Sequence, residues 1–187
     1  TGVQTCALPI FHYTVVYGNT GELDDIDRGA FDVDYHSRDT LMQYNYSHGN
    51  HWSMSIMKRP VVDAVIRYNL SVNDRFGGYH YGFETATDLV NAQIYGNTHY
   101  YGKGAAPEII GPLLGRTPME SVFSNNIFYA EDPGGTMGAN AENGSNVVYD
   151  TNLYYNITPP VSEKNALAAR PRFVDPGAYH FYIDLET

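Results

Sequence analysis

Two aspartates set two residues apart, Asp32 and Asp34, are where chemistry first suggests itself. They lie in GELDDIDRGAFDVDYHSRD, residues 21–39, which holds seven acidic residues. Side chains of a strand alternate between faces, so Phe31 and Val33 are expected to turn inward and the two carboxylates outward. Residues two apart on a strand sit roughly 6.5 to 7 Å apart, close to the separation of about 6.5 to 9.5 Å that inverting glycosidases use to admit a water. Any such pair would satisfy that geometry, so a second chemistry stays open. Asp32, Asp34 and Glu84 form an oxygen-only set suited to Ca²⁺, a hard cation. Lys58 or Arg59 would then remove a proton beside a uronic-acid carboxylate, and a lysine near another cation gives up its own proton more readily. His36, His51, Trp52, Tyr79 and Tyr81 are the candidates for holding a sugar. A third reading makes the acidic residues solvated turns on a glycan-binding or adhesive scaffold.

These residues must be positioned by a repeat. The segment DTLMQYNYSH at 39–48 recurs in form as DAVIRYNLSV at 63–72, NAQIYGNTHY at 91–100, ESVFSNNIFY at 120–129 and NVVYDTNLYY at 146–155. Each is a short apolar run, then an Asn, then an alternating strand. The shared Asn falls at Asn45, Asn69, Asn97, Asn126 and Asn152, in steps of 24, 28, 29 and 26 residues. Pieces of four to six alternating residues cannot supply the longer 3.6-residue pattern of helical repeats. Such a unit cannot bury its own apolar face, so the coils must stack into a solenoid of strands with the Asn in a ladder at one inward corner. Counting back 13 residues from each Asn aligns Asp32, Ile56 and Glu84, and counting back 11 aligns Asp34, Lys58 and Ala86. A slip of one residue would turn side chains to the opposite face.

The phrases QYNYSHGN, IRYNLSVND, FSNNIFY and PRFVDPGAYHF resemble the right-handed parallel β-helix repeat proteins of the pectin-lyase-like superfold, over residues 14–181. The resemblance implies an all-β, right-handed parallel β-helix, and a carbohydrate-active protein acting in an extracellular or periplasmic setting. It does not choose an activity, since that superfold hosts lyases, hydrolases, epimerases and adhesive proteins. No lyase motif carries over residue by residue. The expectation is cleavage of a polysaccharide or oligosaccharide in a groove across the coils near Asp32 and Asp34, with the scaffold as alternative.

Composition bounds the rest. Eleven basic against 21 acidic residues give a net charge of −10, which argues against nucleic acid as partner. No apolar run approaches the roughly 20 residues of a membrane span. There is no HExxH zinc motif and no G-x-S-x-G elbow. The first ten residues, TGVQTCALPI, resemble a translated sequencing adapter and are expected to stand outside the fold, so Cys6, the sole cysteine, supports no redox or nucleophile argument. The β-helix domain is then expected over 11–187, lacking a signal peptide and earlier coils, with 162–187 as a cap. Residues 11–19 read as one strand, 131–146 as a projecting loop, and 162–170 as one or two helical turns. Of four Asn-x-Ser/Thr triplets, those at Asn45 and Asn69 coincide with the expected ladder, and the others begin at Asn143 and Asn156.

Overall fold

The structure is a computed structural model that describes residues 10–18, 29–33, 36–56, 60–74, 79–81, 89–111, 120–142, 146–178 and 180–183. Two six-stranded parallel sheets face each other as sides of one solenoid. The first takes β1 (Ile10–His12), β4 (Leu41–Gln43), β8 (Val65–Arg67), β12 (Ala92–Tyr95), β14 (Ser121–Ser124) and β17 (Val147–Asp150). The second takes β2 (Val15–Tyr17), β5 (Tyr46–His48), β9 (Leu70–Val72), β13 (Thr98–Tyr101), β15 (Ile127–Ala130) and β18 (Leu153–Tyr155). A third side is built from β3 (Gly29–Val33), β6 (Trp52–Ile56) and β10 (Tyr79–Tyr81), and Ile110 pairs onward with Tyr79. Two short parallel pairs, β7 (Val61–Val62) with β11 (Leu89–Val90) and β16 (Gly135–Thr136) with β19 (Ile157–Thr158), complete the coils.

Alternation along each strand sends every second side chain into a shared core, and strict register stacks like positions. Met42, Ile66, Ile94, Phe123 and Tyr149 form one inward row, each fully buried. On the second sheet the inward row runs Val16, Ser47, Ser71, His99, Phe128 and Tyr154, so its middle is polar. The third side contributes Phe31, Met54 and Tyr79.

The corner between the first two sheets is a tight turn that repeats through the chain. Its first residue takes a positive φ at Tyr13, Tyr44, Tyr68, Gly96, Asn125 and Thr151, and the next is the repeat Asn, or Thr14 in the first coil. Tyr13, Tyr44 and Tyr68 stack on one another at 5.4 Å, and the stack ends where Gly96 leaves room. A Cβ at Gly96 would come within 2.7 Å of the Tyr68 ring.

The five Asn side chains are joined into one column. Asn69 Oδ1 accepts from both the backbone N–H and the Nδ2 of Asn45 at 3.0 Å, and Asn97, Asn126 and Asn152 repeat the pattern at 2.9 to 3.0 Å. From Asn69 onward each Nδ2 also donates to a backbone carbonyl of the preceding coil, those of Met42, Ile66, Ile94 and Phe123. At the far end Glu163 stands where a sixth Asn would, accepting from Asn152 Nδ2 at 2.8 Å and from the Tyr154 hydroxyl at 2.6 Å. Glu163→Ala would leave the Tyr154 hydroxyl without this acceptor and take one of the two acceptors of Asn152 Nδ2, in half-buried surroundings. It is expected to cost on the order of 1 to 3 kcal/mol in chemical denaturation, with amide exchange rising first around Asn152.

Beyond the column, the C-terminal segment folds back over the outer face of the second sheet. Tyr100, Tyr129 and Tyr155 stack there at 5.1 to 5.2 Å, and Phe173 and Phe181 from the antiparallel pair β20 (Phe173–Asp175) and β21 (His180–Ile183) pack on them. Several expectations are corrected. Residues 162–170 form turns and a bridge from Leu167 to Leu153, not a helix. The 131–142 segment does not simply project, because Met137 and Ala141 are core residues. The strand expected at 11–19 is two strands broken by the corner at Tyr13 and Thr14, and it starts at Ile10, which pairs with Leu41. Residues 1–9, with Cys6, and Asn143 lie outside the described residues.

Candidate functional site

Asp32 is exposed at the centre of β3, between the buried Phe31 and Val33, as alternation requires. It is an edge strand of the third side, and across the sheet Asp32 registers with Ser55 and then with His80. The alignment by counting paired Asp32 with Ile56, but Ile56 is the partner of Val33. The register positions beside Asp32 are therefore Ser55 and His80. Asp34, Lys58, Arg59 and Glu84 lie outside the described residues.

The residues chosen for sugar contact divide sharply. His36 is exposed with a φ of 59°, three residues beyond Val33. His51 and Trp52 are buried against each other, with ring centroids 5.0 Å apart. Tyr79 is fully buried, and its hydroxyl meets His99 Nε2 at 3.0 Å across the core. Tyr79, Trp52 and His51 are therefore packing residues. Aromatic content does not distinguish a ring that faces a ligand from one that fills a core, and here the inward parity of Met54 and Tyr79 decided it. Tyr81 ends β10, where it pairs with Ile56. As for Ca²⁺, the Asp32, Asp34 and Glu84 set falls mainly outside the described residues, and among those described no group of three or more His, Cys, Asp or Glu could hold a metal ion.

A second constellation was not anticipated. Where β9 ends, Asp74 is buried at the corner toward the third side, with all four of its strongest acceptor positions used. Its Oδ2 accepts from the hydroxyls of Ser47 and Ser71 at 2.6 Å, and its Oδ1 accepts from Asn50 N at 2.8 Å and Asn50 Nδ2 at 3.2 Å. Burial pushes the Asp74 carboxyl up from its ordinary value, and these hydrogen bonds oppose that shift by favouring the charged form. Burial, and then the nearby Asp74 and Tyr79, hold the Tyr101 hydroxyl well above its usual range, so it stays protonated. The sequence signal was present: Ser47 and Ser71 occupy inward positions where an apolar residue would be expected, and a serine there needs a buried partner.

Asn73, Asp74 and Tyr101 border an open cleft of about 470 Å³ that the loop at 103–107 also lines. That volume is in the range of a small-ligand site, and its lining mixes a few polar groups with apolar Ala105 and Pro107. His99, one coil further along the row from Ser71, is buried neutral, its pKa pushed down to about 3 by burial.

The fold and these sites define an all-β parallel solenoid with an acidic residue displayed on one side and a buried acid beside a corner cleft. The chain is 35% identical over 170 residues to Lacto-N-biosidase of Bifidobacterium longum subsp. longum, a glycoside hydrolase. The match covers 88% of this chain but only 10% of that enzyme, so the chain spans about a tenth of the length of this relative. No family model matches the chain. No helix among the described residues is long and apolar enough to cross a membrane.

Proposed function

We propose that this chain belongs to a glycan-cleaving β-solenoid that hydrolyses a glycosidic bond on the outer face of the third side, outside the cytoplasm. The observation that carries the reading is the similarity to a glycoside hydrolase along 88% of the chain, which favours hydrolysis over elimination. Asp32 is the described carboxylate in position to act, exposed on a sheet whose other face is core. Its expected partner is Asp34, two residues on. One carboxyl would protonate the leaving glycosidic oxygen while the other, ionised, activates water or attacks the anomeric carbon, through an oxocarbenium-like transition state.

The test is an assay of the full chain on a panel of neutral and acidic oligosaccharides, following reducing ends and the ultraviolet absorbance of unsaturated products. Hydrolysis predicts new reducing ends without unsaturated product, indifference to chelator, and loss of most activity in Asp32→Asn and in Asp34→Asn. Unsaturated product that disappears with chelator, or with Lys58→Ala or Arg59→Ala, would replace hydrolysis by Ca²⁺-assisted elimination. Glycan retention with no cleavage at all would leave a binding scaffold.

A further inference from the structure

We infer that the corner cleft beside Asp74 and Tyr101 is a binding subsite for a neutral sugar ring, additional to the Asp32 row. This rests on the glycan reading above for its ligand class, and on its own geometry for the existence of a site. Three observations carry it. The cleft of about 470 Å³ has room for a saccharide. The Tyr101 side chain, 2% exposed, borders it, and its hydroxyl has no hydrogen-bond partner among the described residues. A buried hydroxyl left this way is costly in a folded protein, and such groups call for a specific explanation.

The lining also specifies the chemistry. Asn73 Oδ1 is committed to the Gly102 N–H at 2.7 Å, which fixes the carboxamide at the rim. Asn73 itself is exposed, in the left-handed backbone conformation that Asn tolerates, with a φ of 53°. Lys103 and Asn73 are exposed and put donors at the opening, while Tyr101 lines the cleft from its buried side. Ala105 and Pro107 offer a small apolar wall to the C–H face of a ring. Asp74, which lines the cleft, already accepts four hydrogen bonds, so it shapes the site by holding the Ser47, Ser71 and Asn50 corner rather than by gripping a ligand. A neutral, oxygen-rich ring satisfies the donors without bringing a second negative charge beside Asp74, on a chain already at −10.

The experiment is an NMR titration of the full chain with N-acetylglucosamine, methyl β-galactoside and glucuronate. Shifts should be confined to the amides of 101–106 and of Asn73 and Asp74, with glucuronate no tighter than the neutral sugars. Tyr101→Phe should weaken binding on the order of tenfold, the scale of one lost hydrogen bond, while its melting midpoint stays level or rises because a buried unpaired hydroxyl is gone. Ala106→Trp, at an exposed lining position, should block the cleft and abolish those shifts. Unchanged affinity in Tyr101→Phe, shifts elsewhere, or a preference for glucuronate would each overturn the inference. Cleavage that depends on Asp32 without any cleft shifts would defeat this inference alone. Cleft binding in a chain that cleaves no glycan would defeat the hydrolase reading alone.

Discussion

Replacing Asn97 by alanine is expected to destabilise the solenoid on the order of 3 to 6 kcal/mol, lowering the melting midpoint by roughly 10 °C or more. Asn97 is 1% exposed at the middle of the column, so water cannot replace what the substitution removes. Its Oδ1 is the acceptor for Asn69 N and Asn69 Nδ2, and its Nδ2 serves the Ile66 carbonyl. Asn69 N and the Ile66 carbonyl would lose this partner and Asn69 Nδ2 would lose one of its two acceptors, each loss costing about 1 to 3 kcal/mol. The two coils on either side share those groups, so the loss should appear as faster amide exchange at Asn69 and Ile66 before global unfolding. Asn165→Ala, at an exposed site bonded to Asp150, is the control and should shift stability by no more than about 0.5 kcal/mol. Equal effects of the two substitutions would show that the column contributes nothing special.

Acid should unfold the protein through His99. Its folded pKa of about 3 lies below the ordinary 6.5 because the ring is fully buried. A histidine depressed in this way binds its proton more readily when unfolded. Its contribution is fully present above pH 6.5 and is lost as the pH falls from there toward about 3. At roughly 1.4 kcal/mol per unit, the loss is on the order of 4 to 5 kcal/mol over that window. Asp74 works in the opposite sense, since its raised folded pKa makes its protonation favour the native state as pH falls. The decisive comparison is therefore with His99→Phe, whose ring can stack on Phe128 as the imidazole does at 5.4 Å. That variant should be weaker at neutral pH, because Tyr79 loses its partner, yet flatter between pH 6.5 and 3 in denaturant titrations. An acid limb identical to that of the parent chain would place the acid sensitivity elsewhere.

Both predictions concern residues with different legibility in the sequence. Asn97 was readable because the corner it occupies is invariant in length: each repeat Asn lies two residues after the end of a first-sheet strand and directly before a second-sheet strand. A fixed offset repeated five times survives any variation in the loops, so the stacked all-β solenoid followed from spacing and period-two alternation alone. His99 was not readable as a core residue, because an alternating strand such as Thr98–Tyr101 does not announce which parity faces inward when both faces carry aromatics. The covering of the outer face by Phe173 and Phe181 buried Tyr100 as well, so exposure on that strand became a tertiary matter.

The same division runs through the candidate sites. The acidic run and the outward parity of Asp32 were properties of local sequence, set by Phe31 and Val33 on either side. Which residues stand beside Asp32 was not, because the loops joining the third side to the first sheet vary: Asp32, Ser55 and His80 share a row but precede their Asn by 13, 14 and 17 residues. A count from the Asn therefore slips by one at Ser55, and in a strand one residue is the whole difference between solvent and core. Tyr79 illustrates the consequence, since only pairing with Met54 and Ile110 shows that it points at His99. The cleft is further still from the sequence, as Asp74, Ser47 and Tyr101 come from three successive coils and meet only because parallel stacking places them one strand spacing apart.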